Sequence, residues 1–140
     1  WRRPVWSAPA KPVAAAGPTV TLTRQPDGSL LLTAVPPPGA RGLSLDLRTK
    51  ARLTDSTVNG RATPLFDKPG QWTRLRFAAV PQGITVGFRA PEGGEIEAQY
   101  AAQTEHWPAD AKPLPARDAK TQAFDTSDSL VAIGARRFTW

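Results

Sequence analysis

The chain has no cysteine, no methionine, one histidine and one tyrosine among its 140 residues. Without cysteine there is no disulfide, no thiolate metal ligand and no thiol nucleophile. A zinc site would have to draw nearly all its ligands from carboxylates around His106, which is not how protein zinc sites are built. Long apolar runs are missing too. The longest charge-free stretch, Gly28 to Ala40, has thirteen residues and contains Pro36, Pro37 and Pro38. That falls well short of the roughly 20 apolar residues a membrane helix needs. The opening "WRRPVW" runs into Pro- and Ala-rich sequence rather than an apolar segment, so it does not read as a signal peptide. Starting at Trp1 with no methionine anywhere, the chain is expected to be a fragment or a processed product.

What is present suits one globular domain. The apolar fraction is 40% and the charged fraction 21%, and the length allows a single core. Fifteen prolines and eleven glycines fall between short apolar runs, as turns do in all-β proteins. The net charge of +6 permits an anionic partner without requiring one.

Residues 1–18 read as a Pro/Ala-rich, juxtamembrane-like linker. Trp1 and Trp6 flank Arg2 and Arg3, a pairing found at the membrane interface beside a spanning helix; the alternative is that both indoles tuck against the domain. From Thr19 onward, alternation with period two takes over. "TVTLTR" and "SLLLTAV" flank the turn Pro26–Gly28, and "GLSLDLRT" alternates Leu43, Leu45 and Leu47 with polar residues. Asn59-Gly60 marks a tight hairpin turn. In "QWTRLRFAAV", Leu75 and Phe77 oppose Arg74 and Arg76; "GITVGFRA" and "GEIEAQY" repeat the pattern. Residues 103–126 lose it and are expected to form a long loop. No segment carries a helical apolar stripe. The prediction is therefore an all-β domain over 19–140: an antiparallel β-sandwich, immunoglobulin-like or jelly-roll-like, of about seven or eight strands.

Catalytic constellations are scarce. A Ser-His-Asp triad would need His106 with Ser127 or Ser129 and Asp125 or Asp128, and no nucleophile elbow is present. Glu95 and Glu97 share a strand face roughly 7 Å apart, the spacing of a solvated face. "APEGGE" precedes a strand rather than a helix, so it reads as a hairpin turn and not a phosphate cradle. Arg74 and Arg76, with Arg48, Lys50 and Arg52, make a basic face, but no exposed aromatics interleave with them to stack bases, so nucleic acid is not an expected partner. Trp72, Trp107 and Tyr100 could instead form a glycan platform, with Trp107 in the long loop the best exposed of them. The candidate binding surface is thus Trp107, Trp72, Arg74, Arg76 and His106.

The landmarks "VNGR", "WTRLRF", "VPQGITVGF", "PLPAR" and "SDSLVAIGARRFTW", in that order, carry a resemblance over residues 43–140. They resemble the C-terminal domain of multi-spanning M28-family zinc metallopeptidases, bacterial relatives of the vacuolar membrane protease. The chain departs from that pattern at "QYAAQTEHWP". The resemblance implies a β-sandwich that follows a zinc exopeptidase domain and a group of membrane helices. It implies zinc and catalysis only for that other domain, so none of the residues present here inherits a catalytic, cofactor or metal role. It also implies a position on the extracytoplasmic (periplasmic) side of a bacterial membrane, although Arg2 and Arg3 beside a spanning helix would by themselves favour the cytoplasmic face. The implied partners are the peptidase and membrane domains of the same chain. The alternative is a stand-alone sandwich that binds glycan or an anionic polymer.

The last strand closes the prediction. Its expected inward residues are Val131, Ile133 and Ala135, with Arg137 in phase, Arg136 and Phe138 outward, and a bulge near the end. "RRFTW" is expected at a sheet edge, where its charges oppose edge-to-edge pairing. Trp140 is expected to pack.

Overall fold

The computed structural model describes residues 14–105, 112–113, 118–120 and 129–140. Among these residues, nine strands form two antiparallel sheets. The strands are β1 (Thr19–Arg24), β2 (Leu30–Val35), β3 (Ala40–Thr49), β4 (Thr54–Val58), β5 (Arg61–Ala62), β6 (Thr73–Ala78), β7 (Ile84–Arg89), β8 (Glu95–Thr104) and β9 (Leu130–Thr139). One sheet has the order β1-β2-β7-β4-β5 and the other β6-β3-β8-β9. The all-β expectation holds. The short β5 brings the count to nine, above the seven or eight expected. Among the described residues, no helix is long and apolar enough to cross a membrane.

Alternation builds the core. Leu30, Leu32 and Ala34 of β2 and Ile84, Val86 and Phe88 of β7 face inward from one sheet. Leu43, Leu45 and Leu47 of β3 and Ile96, Ala98 and Ala102 of β8 face inward from the other, in the same apolar cluster. Leu32, Leu45, Leu47, Ile84, Val86 and Ile96 are fully buried, worth about 1.5–3 kcal/mol each by area. Trp140 packs edge-on against Phe88 at 5.8 Å and its indole N–H donates to the Glu92 carbonyl at 2.9 Å.

The turns follow the chemistry read from sequence. At the β1–β2 hairpin Gly28 takes φ +82°, and Asp27 accepts from the Ser29 backbone N–H and hydroxyl at 3.0 and 2.6 Å. Asn59 and Gly60 both have positive φ, the requirement of a two-residue primed turn. The Asn59 side-chain oxygen also accepts from Thr85 N–H at 2.9 Å, tying the β4–β5 hairpin to β7.

Four expectations need correction. The loop after β8 starts later than residue 103, because Gln103 and Thr104 pair with Val131 and Leu130. "APEGGE" is not a hairpin: it carries the chain from β7 in one sheet to β8 in the other. The β9 register runs unbroken from Leu130 to Thr139 with no bulge; the register shifts lie instead at Ala40/Gly42 and Thr54/Thr57. Finally, β9 has the opposite phase. Val131, Ile133 and Ala135 are exposed, while Phe138 is buried in the core. Tyr100 accounts for this: it faces inward opposite Gly134, and a Cβ there would lie 2.3 Å from its ring. Only glycine fits beneath that ring, which places position 134 and its in-phase neighbours on the inner side. The edge position of β9 is as expected.

Candidate functional site: the outer face of the four-stranded sheet

Strand pairing arranges the outward residues of β6, β3, β8 and β9 in rows. The first row is Ala78, Gly42, Gln103, Val131; the second is Arg76, Ser44, Ala101, Ile133; the third is Arg74, Asp46, Gln99, Ala135. Beyond these, Arg48, Glu97 and Arg137 continue the face, and Trp72, just before β6, lies over it. Period-two alternation puts these side chains on one surface, because every inward neighbour is committed to the core.

One end of this face is charged and internally neutralised. Arg74 grips Asp46 with Nε at 2.8 Å and Nη2 at 2.6 Å. This pair raises the guanidinium's pKa above its usual value, the hydrogen bond contributing most. Arg48 donates to Glu97 at 2.7 Å, and Arg137 approaches the same carboxylate at 3.5 Å and Glu95 at 3.8 Å. Glu97 is accordingly held below the ordinary glutamate range, chiefly by the Arg48 hydrogen bond and then by the charges of Arg48, Arg137 and Lys50. It therefore stays ionised near neutrality. The Arg48 guanidinium lies 4.6 Å from the centre of the Trp72 ring, a cation–π contact.

The other end is apolar and shallow. Ile133 is 81% exposed and Val131 53% exposed. Between Arg76 and Ile133 the central row has a floor of two small residues, Ser44 and Ala101, with Gly42 and Gln103 in the row on one side and Asp46 and Gln99 in the row on the other. Two adjoining concavities of about 510 and 490 Å³ open here, and Ser44 and Ala101 line both. In the row Arg76–Ser44–Ala101–Ile133, Arg76 is exposed and has no carboxylate partner among the described residues, in contrast to Arg74 and Arg48.

Of the residues singled out from sequence, Arg74, Arg76 and Trp72 are brought together here, and Arg48 joins them. Trp72 and Tyr100 do not form a platform: Trp72 lies on the outer face, while Tyr100 points inward over Gly134. His106 and Trp107 lie outside the described residues, as do Ser127, Asp125 and Asp128. Ser129 accepts from the Gln103 amide at 3.0 Å. Among the described residues no three His, Asp or Glu side chains form a group able to hold a metal. Sequence reasoning placed Val131 and Ile133 inward and so missed them as surface residues. Their signal was the phase of β9, which Phe138 could have supplied as the strand's largest apolar residue.

No protein-family model matches the chain, and no curated protein or solved structure matches it.

Proposed function

We propose that this chain is a non-catalytic accessory domain that works by docking, with the outer face of the β6-β3-β8-β9 sheet as its contact surface. The observation that carries this reading is the exposure of Ile133 and Val131 on the outer face, beside the small residues Ser44 and Ala101. Val131 and Ile133, in phase on β9, form a small exposed apolar patch, the kind of surface a partner covers. The charged end of the face is closed upon itself in ion pairs, which suits a rim more than a catalytic centre.

Following the resemblance described above, the partner in this reading is the peptidase part of a membrane-bound M28-family metallopeptidase on the extracytoplasmic side. There the domain packs against the peptidase or gates access to it, and zinc chemistry belongs to the peptidase. The test compares the 140-residue chain with the full-length parent, each with and without Ile133→Asp. The isolated chain should hydrolyse no peptide. Its melting temperature should move by no more than about 2 °C on substitution, since an exposed site costs about 0.5 kcal/mol at most. The parent should lose thermal stability or alter its peptidase rate. A chain that cleaves peptides alone, or a parent indifferent to Ile133→Asp, would defeat the proposal.

A second reading, a binding module for glycan or an anionic polymer, draws on Trp72, which is 38% exposed beside a 220 Å³ hollow lined by Glu97, Gln99 and Arg137. Quenching of tryptophan fluorescence by an oligosaccharide, lost in Trp72→Ala, would favour it over the first.

A further inference from the structure

We infer that the occupant of this face is an amphipathic α-helix, apolar along the stripe that meets Ile133 and Val131 and acidic along the flank that meets Arg76. The inference rests on the docking reading above and specifies what docks.

The shape comes first. Arg76 on β6 and Ile133 on β9 belong to one row, separated by Ser44 and Ala101. Three inter-strand spacings put the two walls about 14 Å apart. The first three rows extend about 13 Å along the strands, at two residues per row. A helix is about 10–12 Å across with its side chains, so roughly nine helical residues fit this trough. A single extended strand, about 5 Å wide, would leave most of the floor wet. A flat second sheet would be held off the floor by Ile133 and Arg76. Ser44 and Ala101 keep the floor of the central row low, with Gly42 beside Gln103 in the first row and Asp46 beside Gln99 in the third. A helix covering one sheet face also completes a layered architecture that proteins use widely.

The charge comes second, and independently. Asp46 is saturated by Arg74, and Glu97 by Arg48 and Arg137. Arg76 alone among the arginines of the rows keeps an exposed guanidinium with no carboxylate partner among the described residues. It stands on the β6 wall, directly across the floor from the aliphatic wall. A helix seated between them therefore needs a carboxylate on one flank and aliphatic side chains on the other, at i, i+3, i+4 and i+7. A basic flank would set like charges against each other along β6.

The test uses the 140-residue chain, isotope-labelled, with three synthetic probes of roughly 20 residues, long enough to be helical in water. The first is an Ala-rich amphipathic helix with a Leu stripe and glutamates on one flank. The second replaces those glutamates with lysine, and the third carries two central prolines. The acidic helix should shift the amide signals of Ser44, Arg76, Ala101 and Ile133. The lysine version should bind at least tenfold more weakly, and the proline version should not bind. Ile133→Asp should weaken the acidic helix about 30-fold, as loss of a central anchor does. Arg76→Glu should reverse the preference between the first two probes. Equal binding of the proline version would overturn the helix while leaving the docking face intact. Equal binding of the lysine version would overturn the acidic flank. No shift in these rows with any probe would overturn the inference, and the parent-protein comparison above would still decide the docking reading on its own terms.

Discussion

Strand β9 offers a direct test of the packing, because its two faces predict opposite costs. Ile133 and Phe138 lie five residues apart on one strand, paired with Ala101 and Ile96 of β8. Ile133 is exposed; Phe138 is buried, with Arg136 stacked on its ring at 5.0 Å. Ile133→Thr keeps the branched Cβ that favours a strand, so the backbone preference is nearly unchanged. It removes little from the core, and the expected cost is about 0.5 kcal/mol or less. Phe138→Ala removes a buried ring from between the sheets, at a cost of about 3–5 kcal/mol. A domain is stable by only about 5–15 kcal/mol in all. Phe138→Leu, at roughly 1.5 kcal/mol or less if the site repacks, is therefore the companion variant if the alanine form does not fold.

The assay is urea unfolding followed by tryptophan fluorescence. With a denaturant slope of about 2 kcal/mol per molar, Ile133→Thr should shift the midpoint by less than about 0.3 M. Phe138→Ala should lower it by roughly 1.5–2.5 M. If Ile133→Thr cost more than Phe138→Ala, β9 would have the phase read from its sequence, and the exposed aliphatic wall would not exist. Comparable effects would mean that the strand is buried on both faces.

Two further outcomes test other parts of the structure. Gly83 and Gly28 share a positive φ, +85° and +82°, but an added Cβ at Gly83 would lie 2.2 Å from the Ala34 carbonyl oxygen whereas at Gly28 it meets nothing within 4 Å. Gly28→Ala should cost about 1–2 kcal/mol for the left-handed backbone alone and Gly83→Ala clearly more, since β2 must move; equal melting temperatures would refute the close approach. For Glu97, the depressed pKa means that its interactions stabilise the fold above the unfolded-state pKa and are lost as pH falls through the lower folded value. Its carboxyl signal in an NMR titration should have a midpoint below that of ordinary glutamate and move upward in Arg48→Met; a midpoint at or above the ordinary value would contradict the Arg48 hydrogen bond.

Much of the architecture was legible because β-strands expose their period directly. Leu43, Leu45 and Leu47, or Ile84, Val86 and Phe88, have no alternative phase that buries as much. The turns at Gly28 and Asn59-Gly60 were legible for a local reason, the positive φ that those residues tolerate. In β9 the pattern is degenerate. "LVAIGARRF" offers aliphatics on both parities, and the richer one, Val131 with Ile133, lies outside. What fixes the phase is the ring of Tyr100 over Gly134, a contact between strands that no local pattern encodes. The sheet assignment of "APEGGE" was hidden for a similar reason: a turn between neighbouring strands and a crossing between sheets use the same residues.

The same misreading explains why the candidate surface was only half visible. Arg74 and Arg76 could be placed on an outer face from their own strand, with Trp72 beside them, but with Ile133 assigned inward no aliphatic side chain remained outside for them to accompany. Reversing β9 turns a basic, solvated sheet into one with an arginine edge on β6 and an aliphatic edge on β9. The charges then divide by partner: arginines beside Asp46, Glu95 and Glu97 pair with them, while Arg76, opposite Ser44, has no carboxylate partner among the described residues. On the docking reading, a face that pairs all but one of the arginines in its rows with carboxylates among the described residues, and sets that one across from two exposed aliphatics, suits a partner of mixed apolar and acidic character better than a polyanion. A polyanion would recruit the arginines of Arg74 and Arg48 as well, and would have to break both of their short ion pairs to do so.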